Sequence, residues 1–136
     1  MKINDLYGDT IYSYTRAQAI EDGVLIDVSV MANEAGFRVP VAITNTVWDN
    51  YVCWTDMDTD KQTFQDQSGR LWDLLWMLYM SAKHSRGENV IFYHLYVVPR
   101  DGKSRRPDKT RLKAVINGGD NGEAVITIML LTCPVS

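Results

Sequence analysis

The sequence predicts an α+β domain in which N-terminal helices and one long central helix pack on a C-terminal antiparallel three-stranded meander. Residues 66–86 carry apolar side chains at steps of three and four residues, which is the period of one helix face. Residues 89–98, 109–117 and 124–132 are instead rich in β-branched and aromatic side chains. Helices grouped before the strands are typical of this class. The 136 residues fit a single domain, 1–136.

The central helix is predicted to begin at Asp66 or Ser68, either of which can accept a free backbone N–H as N-cap, and to end before Gly87. Its first apolar face contains Leu71, Leu74, Leu75, Leu78 and Ala82, and its second contains Trp72, Trp76, Tyr79 and Met80. A helix that is apolar on nearly every side is usually buried by protein on more than one side. We therefore expect this helix at the centre of the core.

Shorter elements are predicted before it. Thr15 and Gln18 form a capping-box pattern at the start of a helix over 15–22. The further predictions are a short strand or arm within 1–12, a strand over 24–28, a helix over 30–35, a helix from Thr44 or Asn45 to Trp54, and a polar acidic connection over 55–65.

Three strands are predicted after it. Residues 89–98 are apolar on both alternating sets, which indicates a central strand covered on both faces. Residues 117–123 (NGGDNGE) suit a hairpin turn, whereas the connection over 100–108 is long and basic. A third strand left at the edge of the sheet would allow pairing with a second copy, so a homodimer is compatible with the sequence.

Charge is unevenly distributed. The chain has a net charge of −3, but residues 100–113 alone carry a net charge of +5. Such asymmetry indicates a charged partner. The basic residues proposed to contact it are Arg100, Lys103, Arg105, Arg106, Lys109 and Arg111, with Lys113 adjoining them. Cations of this kind displace counterions from phosphates, although the loop contains no aromatic residue to stack on bases. A charged loop that is merely solvated is the simpler alternative.

An acidic cluster made of Asp56, Asp58 and Asp60 is the second candidate contact surface. The alternating carboxylates resemble the start of a calcium-binding loop. The resemblance then fails, because Lys61 stands where that loop requires glycine and Gln67 where it requires a bidentate glutamate. We expect no metal site, and a solvated acidic loop that imitates nucleic-acid phosphates towards a partner.

Catalytic residues are sparse. His84, His94, Cys53 and Cys133 are the histidines and cysteines of the chain, and no nucleophile, phosphate-loop or zinc motif accompanies them. We predict no enzymatic activity and no cofactor; the alternative is a small enzyme that uses His94 or His84 with Asp22 or Asp27. The first ten residues lack a signal peptide, and the longest apolar run of the central helix has seven residues, so we expect a cytoplasmic protein without membrane contact.

Three segments carry a resemblance: IYSYTRAQAIEDGVLIDVS (11–29), QDQSGRLWDLLWML (65–78) and VVPRDGKSRRP (97–107). They resemble a family of small single-domain proteins of unknown function encoded by bacterial plasmids, integrative elements and phages. The resemblance spans almost the whole chain and implies an accessory protein of a mobile element, a class that often includes inhibitors of host defence of the anti-CRISPR or anti-restriction type. We therefore expect an interaction protein that binds a host protein or nucleoprotein complex without catalysis. Direct nucleic-acid binding through the basic loop 100–113 and a small enzyme are the alternatives.

Overall fold

A computed structural model describes residues 14–85 and 87–131. The helices are α1 (Arg16–Glu21), α2 (Ser29–Ala35), α3 (Asn45–Val47) with a π-helical turn (Trp48–Val52) after it, α4 (Asp56–Lys61) and α5 (Gln67–Lys83). The strands are β1 (Leu25–Asp27), β2 (Val41–Thr44), β3 (Val90–Val97), β4 (Asp108–Gly118) and β5 (Ala124–Leu130). The strand or arm predicted within 1–12 lies outside the described residues.

The strands form one five-stranded mixed sheet in the order β1-β2-β5-β4-β3. The predicted three-stranded antiparallel meander is therefore wrong, although the α+β class is confirmed. β3, β4 and β5 do pair antiparallel in sequence, but β2 adds to β5 in parallel and β1 adds to β2. β5 is consequently a central strand, and the edge strands of the sheet are β1 and β3.

The sequence predicts an extended piece over 37–41 and no strand over β2, because the β2 sequence, VAIT, is only four residues long and follows Pro40. Val41, Ala42 and Ile43 are nearly inaccessible to solvent. A short apolar run buried on both faces is what a central strand next to a parallel partner requires. Periodicity alone cannot distinguish such a run from a connection.

α5 packs against one face of the sheet, and the core lies between them. Asp66 is its N-cap, accepting the backbone N–H of Gly69 at 2.6 Å, and Leu71, Leu74, Leu75 and Leu78 are buried. The central position predicted for this helix is also wrong, because Trp76, Met77 and Met80 stay more than one-third exposed. The helix therefore buries one face, and its second apolar face is partly open to solvent.

α1 lies on the opposite face of the sheet. The predicted capping box is confirmed, since Thr15 accepts from the backbone of Gln18 and the Gln18 side chain accepts from the backbone of Thr15. The Arg16 guanidinium then donates to Thr127 Oγ1 at 2.7 Å and to the Ile126 carbonyl at 2.8 Å, both on β5. α1 thus lies near β1 and β5 on this face, and the backbone N–H groups of Arg16 and Ala17 donate to Asp120 in the β4–β5 turn.

Candidate functional site

An exposed aromatic row runs along β3. Burial alternates strictly along this strand, with Ile91, Tyr93, Leu95 and Val97 inside. Phe92 and Tyr96 are 53% and 63% exposed, and His94 between them is also exposed. The prediction of a strand covered on both faces is wrong here, because β3 is an edge strand and its second face is open. His94 belongs to this surface and not to the core.

A basic row on β4 lies directly beside the aromatic row. Phe92 pairs with Lys113, His94 with Arg111 and Tyr96 with Lys109 in the antiparallel register. Residues directly opposite in such a pair project to the same face, with their Cβ atoms about 5 Å apart. Three aromatic rings on β3 and three cations on β4 therefore lie side by side in two rows on one surface. We call this surface the aromatic–basic face: Phe92, His94, Tyr96, Lys109, Arg111 and Lys113.

The three cations of this face are available to a ligand. Within residues 14–85 and 87–131, no ion pair or side-chain hydrogen bond engages Lys109, Arg111 or Lys113. The next residues inward on the same face, Thr127 and Met129 of β5, are uncharged. No carboxylate in these positions neutralises the basic row, although the whole chain is acidic.

The predicted basic loop is anchored to α4 and does not project freely. The buried Gln62 side chain donates from Nε2 to the carbonyls of Pro99 and Ser104, each at 2.7 Å. Its Oε1 accepts the backbone N–H of Gly102 at 3.0 Å. Asp101 closes the loop by accepting from the Ser104 hydroxyl and from the backbone of Ser104 and Lys103; these bonds lower the pKa of Asp101 to about 2.

The predicted acidic and basic contact residues meet at this anchor. Arg100 Nε lies 2.8 Å from Asp58 Oδ2. Burial alone would raise the pKa of Asp58, but hydrogen bonds from Thr55 and Arg100 outweigh burial and lower it. The hydrogen bond to Asp58 in turn raises the pKa of Arg100. Asp58 and Arg100 are therefore occupied with each other, whereas Lys103, Arg105 and Arg106 remain exposed on the loop.

The segment predicted as a solvated acidic loop is the helix α4. Thr55 and Asp58 form its capping box, which fixes the Asp58 carboxylate against the backbone of Thr55. Asp56 and Asp60 are exposed on the helix. Among the described residues, no group of three or more histidine, cysteine, aspartate or glutamate side chains could hold a metal ion.

The residues named for the enzyme alternative are scattered. His84 is the C-cap of α5, Asp22 accepts from the Tyr14 hydroxyl at 2.7 Å, and Asp27 accepts from the backbone and hydroxyl of Ser29. Cys53 is half-buried with a free thiol, and Cys133 lies outside the described residues. Neither named aspartate has a hydrogen bond to a histidine within the part of the chain that the structure describes.

Comparison with known proteins places this fold in a family. A model described as a family of unknown function (DUF6573) matches residues 3–132. The chain belongs to this family. The comparison of this chain with curated proteins and with solved structures found no match. Every helix in residues 14–85 and 87–131 is too short or too polar to span a membrane.

The aromatic–basic face is not visible in the sequence of the basic loop. That loop contains no aromatic residue, and the rings belong to the preceding strand, β3. The usable signal was the alternation Lys109, Arg111, Lys113, which places every cation of β4 on one face. Antiparallel pairing then brings a neighbouring strand to that face, and β3 supplies the rings.

Proposed function

We propose that this protein binds single-stranded nucleic acid on the aromatic–basic face. One observation carries the proposal: Phe92, His94 and Tyr96 stand directly opposite Lys113, Arg111 and Lys109 on an exposed sheet surface. Aromatic rings that stack unpaired bases, combined with cations that follow the phosphates, are the two components of single-strand binding surfaces.

The spacing of the two rows supports this ligand. Alternate residues of a strand lie about 7 Å apart, which leaves each ring room for a separate base. The adjacent strand is about 5 Å away, and the lysine and arginine side chains are long enough to reach phosphates beyond the rings. Bases that are paired in a duplex cannot stack on protein side chains in this way, so we expect a preference for single strands.

Electrostatics also supports it. The chain as a whole carries −3, so a polyanion has no general attraction to it. The local excess of positive charge begins with Lys103, Arg105 and Arg106 in the anchored loop and continues along β4. A single-stranded nucleic acid bound on the sheet would therefore extend toward this loop.

The test is fluorescence anisotropy with labelled oligo-dT, oligo-rU and a duplex of the same length, measured at several salt concentrations. Three phosphate contacts predict a slope of log affinity against log salt of about −2, because single strands give roughly −0.7 for each contact. The DNA and RNA arms report whether the 2′-hydroxyl contributes to binding. Absence of binding at low salt, or binding without salt dependence, would refute the proposal.

Matched variants localise the site. Loss of one stacked base costs about 1–3 kcal/mol, so Phe92→Ala should weaken binding roughly 5- to 150-fold. Phe64→Ala is the control, since Phe64 is 75% exposed and lies outside the sheet. Arg111→Gln removes one phosphate contact and should make the slope of log affinity against log salt less steep. Arg38→Gln, at an exposed position after α2, should leave that slope unchanged. Equal effects of the Phe92 and Phe64 variants would place the ligand elsewhere.

A second candidate follows from the anchored loop, on which Lys103, Arg105 and Arg106 are exposed. We propose, in this case, a cytoplasmic, non-enzymatic accessory protein of a mobile element that inhibits host defence by binding a host protein. A pull-down from bacterial lysate treated with nuclease tests it: a protein partner retained by the wild type and lost with Arg105→Glu combined with Arg106→Glu supports it. Retention of the partner by the folded double variant removes the loop from the interface.

A further inference from the structure

Among residues 14–85 and 87–131, β4 is the one strand that pairs with β3, so the other edge of β3 has no partner strand in this part of the chain. Ile116 donates its backbone N–H to the Asn89 carbonyl at 2.8 Å, which makes these two residues a hydrogen-bonded pair of the β3–β4 ladder. Hydrogen-bonded and non-hydrogen-bonded pairs alternate in an antiparallel ladder. Ile91, Tyr93, Leu95 and Val97 therefore direct their backbone groups to β4. The N–H and C=O groups of Val90, Phe92, His94 and Tyr96 point away from the sheet.

This edge lacks the features that normally protect one. Edge strands are commonly blunted by charged residues, proline, bulges or short length. β3 has eight residues, VIFYHLYV, without charge, proline or glycine. The other edge strand, β1, has only three residues and ends at Asp27. The two edges are thus unequal, and β3 is the one suited to pairing.

Apolar side chains border the β3 edge on both sides. On the helix side, Trp76 and Met77 of α5 remain 39% and 37% exposed. A groove of about 270 Å³ follows the edge and is lined by Asp73, Trp76, Met77, His94, Leu95 and Tyr96. An incoming strand would gain backbone hydrogen bonds from the edge and apolar contacts from Trp76 and Met77.

We propose that the occupant of this edge is β3 of a second copy, paired antiparallel about a two-fold axis. A strand edge is self-complementary under such an axis, since each copy offers the donors and acceptors that the other lacks. The edge strand has no lysine, arginine, aspartate or glutamate, so two copies of it meet without repulsion between such charges, and Trp76 and Met77 of each copy border the shared edge. The two five-stranded sheets then become one continuous sheet.

The arrangement has a consequence for ligand binding. A two-fold axis perpendicular to the sheet leaves both aromatic–basic faces on the same side, next to each other. A long single strand would then contact both copies. This consequence rests on the proposed function, whereas the dimer itself does not, because it follows from the backbone and α5.

Sedimentation equilibrium over a range of concentrations tests the dimer without nucleic acid. The wild type should be dimeric and dissociate on dilution. Met77→Lys places a charge beside the edge and should give a monomer, whereas the control Val30→Lys, at a residue 80% exposed on α2, should remain dimeric. A wild type that is monomeric throughout, or a Met77→Lys variant that is as dimeric as the wild type, would overturn the proposal.

Hydrogen exchange gives a second, residue-specific readout. The amides of Phe92, His94 and Tyr96 should be protected at high concentration and lose protection on dilution, because only the partner strand accepts from them. The amides of Tyr93 and Leu95 should stay protected at every concentration, because β4 accepts from them. Protection of the outward amides that does not change on dilution would contradict pairing with a second copy.

Discussion

Replacement of Gln62 by glutamate tests how the basic loop is held. The Gln62 side chain is only 3% exposed and makes three short hydrogen bonds: Nε2 donates its two hydrogens to the Pro99 and Ser104 carbonyls at 2.7 Å, and Oε1 accepts from the Gly102 N–H at 3.0 Å. Asp101 Oδ1 lies 3.3 Å from the same Nε2. Gln62→Glu keeps the shape but turns the Nε2 donor into an oxygen that faces two carbonyls and a carboxylate. The attraction at these contacts becomes repulsion, and a charge is left in a buried site.

The magnitude follows from the bonds. Each hydrogen bond contributes about 1 kcal/mol net, so the three Gln62 hydrogen bonds hold the loop by about 3 kcal/mol. An uncompensated buried carboxylate would cost a comparable 3–5 kcal/mol. The loop is therefore expected to detach and let the glutamate reach water. The loss in the free energy of unfolding is then limited to about 3 kcal/mol, the value of the three hydrogen bonds.

Hydrogen exchange and urea unfolding measure the two parts of this effect. The Gly102 amide, which donates to Gln62 Oε1, should lose its protection in Gln62→Glu, while amides in the β4–β5 ladder retain theirs. Gln67→Glu is the control, because Gln67 is exposed in the first turn of α5. A protected Gly102 amide in the Gln62 variant, or a loss of stability equal to that of the control, would refute the reasoning.

Two further predictions concern the same region. Arg70 is 4% exposed, and its Cζ lies 4.4 Å from the centroid of the Trp54 ring. The guanidinium donates to the carbonyls of Asn50, Val52 and Val98. Burial lowers the pKa of Arg70 to about 10. Arg70→Met should lower the free energy of urea unfolding by about 3 kcal/mol, roughly 1 kcal/mol for each carbonyl left without a donor, and an unchanged midpoint would contradict this. The pKa of Asp101 is lowered to about 2 in the folded loop. Its contribution to the free energy of unfolding is therefore complete above about pH 4, the usual pKa of aspartate, and is lost as the pH falls through about 2. The Ser104 amide resonance should follow that window, and in the control variant Asp101→Asn it should not titrate there.

The local elements could be predicted because their signals are contained in neighbouring residues. Thr15 and Gln18 specify one helix start through a reciprocal capping box, and the Asp66 side chain specifies another by accepting the backbone N–H of Gly69. Gly36 follows the helix predicted over 30–35 and ends α2 at φ 122°, a backbone conformation that residues with a Cβ rarely adopt. Such signals do not depend on the rest of the fold.

The sheet could not be predicted, because strand order depends on contacts that are distant in the chain. Val41 pairs with Ile126 across 85 residues, and nothing in the four residues of β2 specifies that partner. For the same reason, the sequence predicts β3 as a central strand although it lies at the edge of the sheet: its eight apolar and aromatic residues suit either position. Only the packing of α5 on the Ile91, Tyr93 and Leu95 side of β3 shows that Phe92, His94 and Tyr96 are exposed on the other side.

The basic segment thereby divides into two parts with different physical roles. From Arg100 to Ser104 the chain is held by Gln62 and Asp58, and the one cation that forms an ion pair there among the described residues, Arg100, is bound to α4. From Lys109 onward the chain is a strand, so the period of two places each cation on the same open face and opposite a ring. A composition count treats all seven cations alike. The geometry instead separates Arg100, which is bound to Asp58 of α4, from the cations of β4, which lie on the surface that we propose binds nucleic acid.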